Sequence, residues 1–149
     1  MSDLNVMFSG MNASVSALQA QRQRMDVIAS NLANAESTRT SKGGPYSRQQ
    51  VVFEAVLEEA QNELGQQGPA IPAGGVRVAS IASDPRPPVR IHIPGHPDAD
   101  ANGYVLMPDI HPEQEMVDLI NASRSYEANS AAFKISRGLF QRALDIGRA

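Results

Sequence analysis

From Leu4 onward every seventh residue is large and apolar: Leu4, Met11, Leu18, Met25 and Leu32. The intervening steps of four fall on Phe8, Val15, Arg22 and Ala29, so only Arg22 interrupts the stripe. Its long aliphatic stem can still cover apolar neighbours while the guanidinium stays in water. This spacing predicts one uninterrupted amphipathic helix over residues 4–35 with a coiled-coil seam. Such a helix is roughly 45 Å long at 1.5 Å per residue, longer than most small domains are wide. It needs a partner of similar length. A second stripe of small residues, Ala13, Ala17 and Ala20, offers another backbone a place of close approach.

The partner lies at the other end of the chain. Pro112 suits the first turn of a helix, and Glu113, Glu115 and Asp118 follow it, while Arg137, Arg142 and Arg148 come late. Both biases complement the helix dipole. The seven-residue repeat reads Leu119, Tyr126, Phe133 and Phe140, with Met116, Ser123, Ser130, Arg137 and Leu144 at the alternate positions. A further stripe follows Ala128, Ala132, Ile135, Leu139 and Ile146, and Gly147 is placed to end the helix.

Between the helices the pattern changes character. Residues 39–45 are Thr, Ser, Lys, Gly and Pro and predict a loop. Residues 46–57 predict a strand centred on 49–56, with a short helix over 54–64 as the competing reading. Residues 65–75 predict a turn region, and Val76, Val78 and Ile81 a second strand ended by Asp84-Pro85. Val89, Ile91 and Ile93 alternate with Arg90 and His92, Pro94-Gly95-His96-Pro97 is a turn, and residues 103–107 form a last short strand. The expected fold is mainly α with a small β-rich insertion, its long N- and C-terminal helices pairing as a coiled coil. Three segments result: an N-terminal helix over 1–38, a loop and β-rich middle over 39–111, and a C-terminal helix over 112–149.

Several function classes are disfavoured. The formal charge is −3 and no basic patch occurs, which argues against nucleic acid as the main ligand. No apolar run is long enough to span a bilayer, so no direct membrane insertion is expected. Asp3 stands where a secretory signal would be basic. Cysteine is absent, which removes disulfides and thiolate metal sites. His92, His96, Asp98 and Asp100 are close in sequence, but their strand-and-turn setting reads as structural rather than metal-binding. All three histidines (His92, His96, His111) lie in proline-rich sequence, and Gly74-Gly75 lacks the strand-to-helix context of a phosphate loop. Neither catalysis, a cofactor nor a metal is expected.

Each helix carries a second apolar stripe, so one antiparallel pair leaves apolar surface uncovered. Neighbouring copies are the expected cover, which makes this chain an assembly protein. The residues also carry a family resemblance. Ser9-Gly10-Met11 and the run Arg24-Met25-Asp26-Val27-Ile28-Ala29-Ser30-Asn31-Leu32-Ala33-Asn34-Ala35 resemble the N-terminal signature of flagellar rod and hook proteins. Glu115-Met116-Val117-Asp118-Leu119-Ile120 with Ser123-Arg124-Ser125-Tyr126-Glu127-Ala128-Asn129 resembles their C-terminal signature. Gly43-Gly44-Pro45-Tyr46-Ser47-Arg48, and Pro94-Gly95-His96-Pro97 through Gly103-Tyr104-Val105, are similar to the proximal rod members.

The resemblance implies a structural subunit of the bacterial flagellar basal-body rod, exported through the flagellar type III apparatus without a cleaved signal and built into the periplasm-spanning drive shaft. It also implies terminal helices that fold on assembly, packed against copies of the chain, other rod proteins and neighbouring basal-body components. The expected assembly interface is Leu4, Phe8, Met11, Val15, Leu18, Met25, Leu32, Met116, Leu119, Tyr126, Phe133, Phe140 and Leu144. Another rod-family subunit, or a coiled-coil adaptor or chaperone outside the flagellum, is the competing reading. His111-Pro112 departs from the polar cap expected before the second helix.

Overall fold

A computed structural model describes the backbone of residues 2–58 and 71–147, and the side chains of residues 10–56 and 75–147. Two long helices bracket two antiparallel hairpins. The order is α1 (Ser2–Ala33), β1 (Gln49–Glu58), β2 (Ile71–Ser83), β3 (Val89–His92), β4 (Tyr104–Met107) and α2 (Pro112–Ile146). Among the described residues, no helix is long and apolar enough to cross a membrane.

Helix α1 is rich in Ala, Met, Leu, Gln and Arg, all good helix formers, and it passes through Gly10 without a break. Its end is a run of tight turns. The Asn34 amide donates to the Ser30 and Asn31 carbonyls, and the Asn34 side chain donates to the Ser30 carbonyl at 2.9 Å. These bonds satisfy carbonyls that the helix end would otherwise orphan. Helix α2 starts at Pro112 with Glu113 and Glu115 in its first turn and no side-chain cap from His111. The Pro112 nitrogen needs no partner, which makes the missing cap less costly. At the far end the Gly147 N–H donates to the Ala143 carbonyl.

Strands β1 and β2 form a long antiparallel hairpin, with register Gln49↔Ser83 through Val52↔Ser80 and an irregularity after Val52. The strand reading of residues 49–56 is confirmed, and β1 continues to Glu58, so the competing helix does not form across its first residues. Strand β2 begins earlier than its apolar pattern suggested, at Ile71, because pairing with β1 carries it through Pro72 and the Gly pair. The turn read over 65–75 lies in part outside the described residues.

The hairpin lies along α1. At one end Asn31 binds the Gln49 backbone, and at the other the Val76 N–H donates to Ser16 Oγ at 3.1 Å. Asn31 and Ser16 are about 22 Å apart at the helical rise. Gln49 and the Val76 partner Ala55 are about 20 Å apart along a strand, so the two rulers match. A glycine is needed where the strand meets the helix: a Cβ on Gly75 would lie 3.3 Å from Ser16 Oγ.

The second hairpin pairs Val89↔Met107 through His92↔Tyr104. Val89, Ile91, Val105 and Met107 share one face, and Val105 is buried. Arg90, His92, Tyr104 and Leu106 share the exposed face. There the Arg90 guanidinium sits 4.8 Å from the Tyr104 ring centre and pairs with Asp100 at 2.9 Å. The turn between β3 and β4 requires Gly103, whose φ is +78°. His96 accepts the Asp98 N–H through Nδ1, and His92 lies against Tyr104, so both histidines are engaged in turn and sheet structure.

The two helices contact each other and run in opposite directions, since Asn31 meets Glu115 while the earlier Arg24 meets the later Asp118. The most buried positions of α1 are Ala20, Val27, Ile28 and Asn31. They continue the small-residue stripe of Ala13, Ala17 and Ala20. The heptad residues Met11, Leu18, Met25 and Leu32 are half-buried.

Candidate functional site

The sequence elements that carry the family resemblance meet in space. Asn31, near the end of α1, is 1% exposed, and its carboxamide acts as one residue of a β-strand. Its Oδ1 accepts the Gln49 N–H at 2.9 Å and its Nδ2 donates to the Gln49 carbonyl at 2.9 Å. The same Nδ2 donates to Glu115 Oε2 at 3.1 Å, and Oδ1 also accepts the Tyr46 hydroxyl at 3.2 Å. One side chain therefore ties α1 to the loop, to the first residue of β1 and to α2.

Glu115 is also 1% exposed and points inward from the first turn of α2. Its second oxygen accepts Arg48 Nε at 2.7 Å. Around Arg48 stand Asp84 at 3.9 Å and Asp118 at 3.9 Å, and Arg24 faces Asp118 at 4.0 Å. Arg86 extends the network, meeting Asp84 at 2.7 Å and Asp109 at 2.7 Å. Asp84 is gripped further by the Arg86 N–H and by Gln50. The Arg86 guanidinium, hydrogen-bonded to it, holds the Asp84 carboxyl down at about 2, and the Arg86 N–H adds to this. The same pairing raises Arg86 above the usual arginine range.

This clasp of arginines and carboxylates joins both helices to the bases of both hairpins. Burying charge is costly in itself. Removing one partner of such a buried pair leaves an uncompensated charge, at a cost of about 3–5 kcal/mol. The clasp thus fixes which way the elements fit together. Its groups are mutually satisfied rather than aimed at a ligand. The half-open cleft of about 320 Å³ beside it is lined by Arg24, Val27, Ile28, Asn31, Arg48, Val51, Phe53 and Asp118, none of which is a nucleophile or histidine.

A second feature runs along the opposite side of α2. At 100° per residue, Leu119, Tyr126, Phe133 and Phe140 fall on the same side as buried Glu115 and Ala122. Val117, Ile120, Ile135, Leu139 and Ile146 fall on the other side, and all are exposed, Ile135 by 64% and Ile146 by 78%. An apolar stripe of this length is far more than scattered surface hydrophobics.

The expected interface residues divide accordingly. Met11, Leu18, Met25, Leu32, Leu119, Phe133 and Phe140 are half-buried, and Val15, Tyr126, Met116 and Leu144 are exposed. Leu4 and Phe8 belong to α1, outside the described side chains. The clasp is what sequence reading missed. Asn31, Tyr46, Arg48 and Glu115 all stood in motifs, but stepping along apolar positions passes over them. A signal was available: Glu115 shares a face with Ala122 and Phe133, and a carboxylate on the inner face of a helix demands a partner.

Comparison with known proteins gives this architecture a class. Residues 11–39 match the flagella basal body rod protein profile, and residues 101–146 match the C-terminal profile of the flagellar basal body rod FlgEFG proteins. Asn31 lies in the first match and Glu115 in the second, so the clasp bridges the two. The chain belongs to the flagellar basal-body rod protein family.

Within that family its similarity is to the FlgC proteins. It is 42% identical over 151 residues to the flagellar basal-body rod protein FlgC of Borreliella burgdorferi, spanning 94% of this chain and 97% of that one. Against FlgC of Bacillus subtilis it is 41% identical over 147 residues, covering 95% and 98%. Against FlgC of Salmonella typhimurium it is 41% identical over 133 residues, covering 89% and 92%.

Proposed function

We propose that this chain is a structural subunit of the proximal flagellar rod, performs no catalysis, and polymerises through its terminal helices with copies of itself and other rod proteins into the hollow drive shaft. The observation that carries this reading is the outer face of α2, where Ile135, Leu139 and Ile146 stand exposed along a continuous stripe. A helix apolar on both sides belongs in an interior. One side of α2 already faces the chain's own elements, and neighbouring helices are the cover for the other. Torque then passes through packed side chains, with the clasp holding the middle segment against both helices. The chain reaches the periplasm-spanning rod through the flagellar type III apparatus without a cleaved signal, and passes exported subunits through the shaft it helps to build.

The half-buried seam residues contribute to the same packing. The test is complementation in a flagellated bacterium whose only copy carries Leu18→Asp or Phe133→Asp. A carboxylate left unpaired at a helix contact costs several kcal/mol, so neither variant should yield complete basal bodies on electron microscopy. Complete, rotating flagella from either variant would overturn the role of these seams in assembly. Absence of the wild-type chain from purified basal bodies would overturn the rod reading itself.

A further inference from the structure

Burial is distributed unevenly along the two helices. Among the described residues, the buried positions of α1 are Ala20, Val27, Ile28 and Asn31, and those of α2 are Glu115 and Ala122. The remaining buried residues, Val105, Pro108 and Ile110, lead directly into α2. Beyond Ala122 the helix continues for another 24 residues to Ile146, about 36 Å at the helical rise, with no buried position among the described residues.

Polar fastening follows the same division. Asn31–Glu115 and Arg24–Asp118 join α1 to α2 by polar side chains, and both lie at the clasp. Farther along α2, Ser125 and Asn129 return their hydrogen bonds to the carbonyls of Asn121 and Ser125 in their own helix. The distal helix therefore lacks, among the described residues, the buried area that its first turns possess. A helix held by half-covered apolar side chains draws most of its stability from whatever else covers it.

We propose that the clasp divides the chain into a pre-folded head and two helical arms, with the boundaries inside the helices near Ala20 and Ala122. The head comprises the last half of α1, both hairpins and the first three turns of α2, locked by Asn31, Arg48 and Glu115. The arms gain stable helix when a neighbouring subunit covers them. This rests on the rod reading, and it changes what an arriving subunit brings: an oriented head with the roots of both helices set at a fixed angle. The incoming arms then extend existing helices instead of nucleating new ones, and nucleation is the unfavourable step in helix formation.

Amide hydrogen exchange on the purified full-length monomer tests the division. Amides in 23–33, 49–53, 104–107 and 115–122 should exchange at least about 100-fold more slowly than those of an unstructured chain, and those in 126–146 close to the unstructured rate. Ile135→Asp should leave exchange in the head unchanged, whereas Glu115→Gln should release the head and leave the already fast arms as they were. Equal protection through residue 146, or a loss of head protection in Ile135→Asp, would show a single cooperative unit and overturn the proposal. So would an absence of protection throughout. Presence of the chain in purified basal bodies is read separately, so failure of this division is distinguishable from failure of the rod reading.

Discussion

Replacing Asn31 by Asp exchanges one NH₂ group for one oxygen and leaves the shape of the clasp intact, yet it should be the most damaging isosteric change in the molecule. In the native clasp Nδ2 donates to the Gln49 carbonyl and to Glu115 Oε2. An aspartate there donates to neither, and each buried acceptor so abandoned costs about 1–3 kcal/mol. It also sets a second carboxylate 3.1 Å from that of Glu115. Two unit charges at that separation repel by about 5 kcal/mol at an effective dielectric of 20. The pair escapes part of this by taking up a proton, so the expected net loss at neutral pH is about 3–5 kcal/mol.

The pH dependence identifies the cause. Repulsion raises the pair's affinity for a proton in the folded state above its value in the unfolded chain. The penalty is therefore full above that raised value and shrinks as the solution is acidified through it. Urea unfolding followed by circular dichroism, at neutral pH and at about pH 5, measures both effects. Combining Glu115→Gln with Asn31→Asp should recover part of the loss at neutral pH, since the glutamine amide can donate to the new carboxylate. A cost below about 1 kcal/mol, or one that is unchanged by acid, would refute this role of the clasp.

Other consequences are simpler. Asp84 titrates at about 2 when folded against an ordinary 3.8, so the folded state binds fewer protons between those values. Its contribution to stability is present above about pH 4 and lost as the pH falls toward 2; Asp84→Asn should flatten the acid limb of a stability-versus-pH curve over that window. Gly103→Ala places a side chain at φ +78° and its Cβ 3.0 Å from His92 Nε2. It should cost about 1–2 kcal/mol, read as a lowered midpoint in thermal unfolding. Purified rods held together mainly by apolar packing should withstand moderate salt, as judged by sedimentation.

Much of this architecture is legible in the residues because it rests on repetition. A seven-residue spacing from Leu4 to Leu32, and again from Leu119 to Phe140, fixes two long helices whatever else happens. Pro112 and Gly147 mark the ends of the second, and Val89, Ile91 and Val105 betray a short hairpin by alternation. What periodicity does not give is the angle at which these pieces meet. That is set by groups that occur once: an asparagine whose amide imitates a strand, an arginine among three carboxylates, and a glutamate turned inward. Their partners are far apart in sequence, Asn31 and Glu115 by 84 positions. Only the folded chain reveals that they touch. The start of β2 was hidden for a related reason, because its first residues are held by pairing to β1 and not by their own propensity.

The rod assignment depends above all on neighbouring subunits covering the outer face of α2. The chain contains no cysteine, so Ile135→Cys and Ile146→Cys each introduce a unique thiol on that face. Maleimide labelling would be timed on the purified monomer and on isolated basal bodies containing the same variant. Ready labelling of the monomer is expected, with a fall in rate of at least about tenfold in the basal body, since thiol reactivity follows access. Equal labelling rates in the two states would mean that the stripe stays open to solvent, contradicting the packing on which the rod assignment of α2 depends.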